Sequence, residues 1–274
     1  MAGNRTIGSW LSDDAQPADL LTALRRGGSV VVALSGGVDS TLVAALAHEA
    51  LGANACAVTL SGPAIADVEV DRARAMARFL GISHSVLEVD PLAIEEYRAN
   101  PTNRCYFCRA LDAATIREWG TGRGFERYLD GVQVDDLGDD RPGLRALNEA
   151  GFEHPLLWAR WNKLKVREEA RLRNLPNADL PSDACLASRV AHGERISAGL
   201  LDRIERAEHL VREAGFRRVR VRVQRDEARV EVDPEEVARL TEEPLTTSIR
   251  AALEELGFLS VSIDPKGYQS KSGG

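Results

Sequence analysis

The sequence predicts an α/β fold, with a parallel sheet covered by helices on both faces and a smaller α+β module after it. Three observations carry this. Continuous apolar runs of strand length occur at 29–34 and 55–60, they alternate with helical stretches, and the rhythm changes after a proline-containing segment at 175–181. The first domain is expected over 1–175 and the second over 176–274.

Residues 19–26 read as a helix, and 29–34 is a β-branched run suited to a central strand buried on both faces. Small and apolar residues make 40–51 helical, and 55–60 is a second buried strand. A helix over 68–80 with arginines on its outer face precedes strands at 84–88 and 128–132. Strands alternating with helices in this way imply parallel pairing with helical crossovers. In the second module, 197–214 is an amphipathic helix, and 219–223 and 228–232 alternate apolar with polar residues. The intervening Gln224-Arg225-Asp226-Glu227 reads as a hairpin connection without glycine. Two short helices and a strand at 259–263 complete the module, and the polar stretch 269–274 reads as a loose tail.

Bulk properties narrow the function classes. No apolar run is long enough to span a bilayer, and Met1-Ala2-Gly3-Asn4-Arg5 lacks the layout of a signal peptide, so a cytoplasmic location is expected. The net charge of -7 argues against nonspecific nucleic-acid binding. Arginines nevertheless crowd the stretch 212–225, which reads either as a solvated face or as a local anion site. In a reducing compartment, the C-x-x-C of Cys105 and Cys108 points to metal or redox chemistry rather than to a structural disulfide. Cys56, inside an apolar strand, reads as core filler.

The most informative segment is Ser35-Gly36-Gly37-Val38-Asp39-Ser40, placed between a strand and a helix start. Glycines let backbone N–H groups approach an anion, and the helix N-terminus adds unpaired N–H groups and a positive dipole end. Ser35 and Ser40 can donate hydroxyl hydrogen bonds, while Asp39 suits Mg²⁺ or loop ordering rather than direct phosphate contact. The lysine of a G-x-x-x-x-G-K-[ST] loop is absent, which favours pyrophosphate as leaving group over γ-phosphoryl transfer. The motif resembles the PP-loop of ATP-dependent adenylylating enzymes.

Further motifs follow in order: Asn103-Arg104-Cys105-Tyr106-Phe107-Cys108, Asp135-Asp136-Leu137-Gly138-Asp139, Arg141-Pro142-Gly143-Leu144-Arg145 and Cys185-Leu186-Ala187-Ser188-Arg189. Together with the PP-loop they resemble the LarE family of ATP-dependent sulfur transferases in nickel-pincer nucleotide biosynthesis. The likeness runs through Ala228-Arg229-Val230-Glu231-Val232 to Gly267-Tyr268 and so covers nearly the whole chain. It implies that ATP with Mg²⁺ adenylylates the carboxylates of pyridinium-3,5-biscarboxylic acid mononucleotide, and that sulfur then displaces AMP to give thiocarboxylates. Family members with a single late cysteine sacrifice its sulfur, whereas those with three cysteines hold a [4Fe-4S] cluster. Cys105, Cys108 and Cys185 match the three-cysteine pattern.

The resemblance also implies ATP contacts at Ser35, Gly36, Gly37, Asp39, Ser40, Asp136 and Arg141, and a homo-oligomer. Arg189, Arg220 and Arg222 would bind the substrate, and Glu208 and Glu231 would be metal-binding acids. Strand alternation independently puts Arg220 and Arg222 on one face, where guanidinium forks suit a phosphate or carboxylate. A guanidinium such as Arg189 near Cys185 favours its thiolate. Two departures are visible: Asp130-Gly131-Val132-Gln133-Val134 stands in place of the usual Gly-Thr-Asn-type segment, and Arg109 replaces a lysine. The competing readings are a tRNA thiolase on the same PP-loop, and a nucleotide sensor with a zinc knuckle completed by His154 or His192.

Overall fold

The computed structural model describes residues 17–137, 141–181 and 184–269. Met1-Arg5, Gly138 and Asp139 of the acidic motif, Ser182 and Asp183, and the tail beyond Gln269 lie outside the described residues. The chain divides into two compact units, one of 1–89 and 105–183 and the other of 90–104 and 184–274. No described helix is long and apolar enough to cross a membrane.

In the first unit, α1 (Pro17–Arg25), β1 (Val30–Ala33), α2 (Val38–Leu51), β2 (Ala55–Ser61), α3 (Asp67–Leu80) and β3 (Ser83–Glu88) follow one another. A short helix of the second unit, α4 (Glu95–Arg98), intervenes. The first unit resumes with α5 (Arg104–Thr121), β4 (Arg127–Leu129), α6 (Pro142–Glu149), α7 (Pro155–Trp158) and α8 (Lys163–Leu172). The sheet order is β3-β2-β1-β4, and every pairing is parallel. Val30, Val31 and Val32 are fully buried, because β1 is central and has helices over both faces. One face packs on α1, α2, α3 and α8 through Val32, Leu42, Leu46, Ala73 and Val166. The other packs on α5 and α6 through Val31, Val58, Ala113, Ile116 and Leu147.

Chain order reverses on either side of β1, since β2 flanks one edge and β4 the other. In open parallel sheets the crevice at the carboxyl ends of two such strands receives the ligand. The strand expected at 128–132 is shorter, because Asp130 turns its carboxylate back to accept from Val132 N at 3.0 Å and ends the extended run.

The second unit contains α9 (Ala198–Glu213), β5 (Val219–Gln224), β6 (Glu227–Val232), α10 (Val237–Leu240), α11 (Leu245–Glu255) and β7 (Ser260–Ile263). Ser197 caps α9 by accepting from Leu200 N. β5 and β6 pair antiparallel, and β7 joins β6 in parallel. The hairpin turn lacks glycine, and Arg225 and Asp226 themselves take the left-handed conformation, at φ 49° and 63°. Val219, Val221 and Val223 form the apolar face of β5.

Candidate active site

The site is built where β1 ends. Leu34 N donates to Val58 O at 2.8 Å and prolongs the β1–β2 pairing by one residue before the chain turns. Gly36 has φ +77°, and a Cβ there would lie 2.8 Å from the backbone nitrogen of Ala73 on α3. Only glycine fits both the conformation and the space. Gly37 precedes the 14-residue helix α2 and supplies no side-chain cap, so the N–H groups at this helix end are not capped from that position. Ser35 and Ser40 brace the turn: Ser35 N donates to Ser40 Oγ at 3.1 Å, the two hydroxyls are 3.0 Å apart, and Ser40 Oγ donates to Gly37 O at 3.2 Å. The exit of β4 closes on the same helix end, since a Cβ on Gly131 would stand 2.6 Å from Ser40 N.

The charges converge on Asp39. Its Oδ2 accepts from Lys163 Nζ, while its Oδ1 is buried without a protein partner among the described residues. Burial pushes the Asp39 carboxyl up, Lys163 pulls it down, and the nearby Asp136 adds a smaller upward push. Lys163 is the first residue of α8, and its N–H donates to Asp135 Oδ2 at 2.9 Å. Asp136 accepts from Gln133 N at 3.2 Å and pairs with Arg141 at 2.9 Å. The structure thus gathers Ser35, Gly36, Gly37, Asp39 and Ser40 with Lys163 and Asp136, and Arg141 joins through Asp136.

Cys105 and Cys108 lie one helical turn apart near the start of α5, where i,i+3 spacing puts both on one side. Cys105 is exposed and Cys108 half-buried, and neither forms a disulfide. Cys108 Sγ donates to Asp112 Oδ2 at 3.9 Å, and Arg109 pairs with the same carboxylate at 3.2 Å. Gly143 packs on this turn, its Cβ position 3.7 Å from the Cys105 Cβ. Cys56 is buried in β2, and burial pushes its thiol up. His154 is buried with Nδ1 2.8 Å from Asp130 and Nε2 3.0 Å from Asn148, so both ring nitrogens are engaged within the protein.

In the second unit, half-buried Cys185 precedes a 3-10 turn, Leu186–Arg189. Arg189 Nη1 donates to Cys185 O at 3.0 Å, and its Nε and Nη2 donate to the two oxygens of Glu208 at 2.7 and 3.1 Å. Glu208 also pairs with Arg212 at 2.6 Å and accepts from Val221 N at 3.1 Å. On β5, Arg222 pairs with Glu231 at 3.1 Å and donates to Ser188 O at 3.0 Å. Arg220 is buried, donates to its own strand's Val219 O, and lies over the Tyr268 ring at 5.4 Å. Glu208 and Glu231 are therefore buried partners of arginines. Among the described residues, no group of three or more His, Cys, Asp and Glu side chains converges to hold a metal ion.

The Arg189–Glu208 pair has both side chains at most 2% exposed, so removing one charge strands the other. Glu208→Ala is expected to cost about 3–5 kcal/mol of stability in urea denaturation. A loss below about 1 kcal/mol would show that this ion pair does not hold the second unit together.

The NAD synthase family model matches residues 22–104, which cover the β1–α2 loop and the two strands that follow. An uncharacterized protein of Synechocystis sp., slr1717, is 40% identical over 88% of this chain and 90% of its own length. The pyridinium-3,5-bisthiocarboxylic acid mononucleotide synthase of Lactiplantibacillus plantarum is 31% identical over 92% of this chain and 91% of its own. The uncharacterized protein MJ0830 of Methanocaldococcus jannaschii is 26% identical over 88% and 91%. The likeness to the synthase runs over nearly the whole chain, and this chain belongs to its family, the LarE family of ATP-using PP-loop enzymes.

Proposed function

We propose that this enzyme adenylylates the carboxylates of pyridinium-3,5-biscarboxylic acid mononucleotide and converts them to thiocarboxylates. The observation that carries the reading is the Asp39–Lys163 pair beside the N-terminus of α2, at the point where chain order reverses in the sheet. A substrate carboxylate oxygen attacks the α-phosphorus of ATP, the bond to the β-phosphate oxygen breaks, and pyrophosphate leaves. The leaving anion is received by the N–H groups of the glycine turn, the Ser35 and Ser40 hydroxyls and Lys163, which supply positive potential where charge develops. The partnerless Oδ1 of Asp39 fits a hard cation and would hold Mg²⁺. Bound there, the metal would neutralise phosphate charge. Asp136 and Arg141 border the nucleotide. Hydrosulfide then adds to the acyl-adenylate carbon, the bond to AMP breaks, and a thiocarboxylate, AMP and a proton result.

For the sulfur source, the paired thiols on α5 fit two ligands of an iron–sulfur cluster, being adjacent, solvent-reachable and not disulfide-bonded. Cys105 and Cys108 would hold a [4Fe-4S] cluster together with Cys185. Three protein ligands leave one iron open for the sulfide to be transferred. The alternative within the same reaction is transfer of the Cys185 sulfur itself. Arg220 and Arg222, on one face of β5, supply the groups that take the substrate's phosphate and carboxylates, with Arg189 beside Cys185. The enzyme works in the cytoplasm as a homo-oligomer.

The reading is tested by incubating the protein with ATP, Mg²⁺, the dicarboxylate mononucleotide and excess sulfide. AMP and pyrophosphate are expected in equal amounts. Formation of ADP and phosphate instead would overturn the proposed reaction.

A further inference from the structure

Two glycines flank the Gly36–Gly37 peptide, and rotating this peptide changes only the Gly36 ψ and the Gly37 φ. Both torsions lack Cβ hindrance, so sequence alone leaves the peptide free to turn over. A trans peptide points its carbonyl and its N–H to opposite sides. In one orientation the loop offers the Gly37 N–H to an anion; in the other it offers the Gly36 carbonyl and repels one.

One buried side chain fixes the choice. Asn177 Nδ2 donates to Gly36 O and to Thr41 Oγ1, both at 2.9 Å. A carbonyl oxygen only accepts, so the amide nitrogen must face Gly36, and the orientation of the Asn177 amide follows from chemistry. Asn177 is 5% exposed. It is seated by a turn in which Leu175 N donates to Ala170 O and Leu180 N to Asn177 O. Leu175 and Ala178, on either side, are buried in the core shared with α2 and α8. With its carbonyl drawn inward, the peptide directs the Gly37 N–H outward, where it donates to the exposed Ser35 hydroxyl at 3.3 Å.

We infer that Asn177 is a positioning residue that locks the Gly36–Gly37 peptide in its anion-binding orientation. This rests on the proposed role of the loop as a pyrophosphate site. The lock acts on phosphate contacts and not on the nucleoside, and this separates it from a general packing role. Asn177→Asp sharpens the distinction. A carboxylate must set an acceptor against the Gly36 carbonyl, whereas a protonated carboxyl can donate to it and restore the lock.

The test is direct binding of pyrophosphate, Mg-ATP and adenosine to the full chain by titration calorimetry, with thermal unfolding to confirm that each variant is folded. Asn177→Ala is expected to weaken pyrophosphate and Mg-ATP binding about tenfold, in line with the loss of one buried hydrogen bond, and to leave adenosine binding unchanged. Asn177→Asp is expected to lose about a hundredfold at pH 8 and to recover relative to wild type as the pH falls to 5. Wild-type pyrophosphate affinity in both variants, an equal fall in adenosine affinity, or a pH-independent ratio of variant to wild type would overturn the inference. A wild-type protein that binds neither pyrophosphate nor ATP would overturn both the inference and the proposed reaction. Wild-type protein that binds both but forms no AMP would overturn the reaction alone, and the same variant pattern would still support the lock.

Discussion

Asp39→Asn is expected to lower the rate of AMP formation by about 10²–10⁴-fold, because metal-assisted charge stabilisation contributes several kcal/mol. The substitution keeps the shape and an acceptor oxygen but removes the anion that would hold Mg²⁺ and pair with Lys163. A second variant tests the pair from the other side. Burial raises the Asp39 carboxyl above its usual range, and the two influences of Lys163, charge and hydrogen bond, lower it. In the proposed reaction only the ionised carboxylate would hold the metal, so wild-type activity is expected to fall as the pH drops through this titration. Lys163→Met removes both lowering influences, so protonation of Asp39 sets in at higher pH. The acid limb of the pH–rate profile should therefore move upward, in addition to a fall in rate at every pH from the lost phosphate contact. A fall in rate with an unmoved limb would mean that Lys163 acts on phosphate alone, and a downward shift would contradict the ion pair.

How much of this site was legible in the sequence depends on range. The strands and the phosphate loop are local signals. A β-branched run at 30–32, two glycines and a helix start are contiguous, and the structure places β1 and α2 within a few residues of their expected bounds. Lys163 and Asn177 are not local, lying 124 and 141 residues from Asp39 and Gly36. No periodicity encodes such pairings. One signal for Lys163 was nonetheless readable. It follows the capping Asn162 as the first residue of α8, a helix with no acid in its first turn. A cation at a helix N-terminus opposes the macrodipole, so a lysine there calls for a compensating anion, which the structure supplies as Asp39. The second unit shows a different limit. Alternation correctly set Arg220 and Arg222 on one face, but not that Glu231 and the Tyr268 ring would meet that face. The turn at Arg225-Asp226 likewise lacks the glycine that usually announces a tight hairpin, because two non-glycine residues accept positive φ there.

The sulfur source sets the largest effect of all, since the two mechanisms predict opposite fates for one side chain. In sacrificial transfer, the Cys185 Cβ–S bond breaks, the sulfur remains on the substrate, and the residue becomes dehydroalanine. Each chain can then deliver one sulfur, and its mass at Cys185 falls by about 34 Da, the mass of H₂S. In that mechanism Cys105 and Cys108 have no chemical task. In cluster-borne transfer, all three thiolates are ligands and none is consumed. After anaerobic reconstitution with iron and sulfide, protein supplied with ATP, substrate and excess sulfide is expected to transfer more than one sulfur per chain, with the Cys185 mass unchanged. Cys105→Ala and Cys108→Ala are each expected to abolish both the iron–sulfide content and the transfer. Their fold should survive, because Cys105 is exposed and Cys108 only half-buried, so neither change empties the core. Iron content and acid-labile sulfide are read separately from turnover, so the cluster assignment does not depend on an active preparation. Full transfer by either variant, or dehydroalanine at Cys185 after a single turnover, would assign the sulfur to the chain itself.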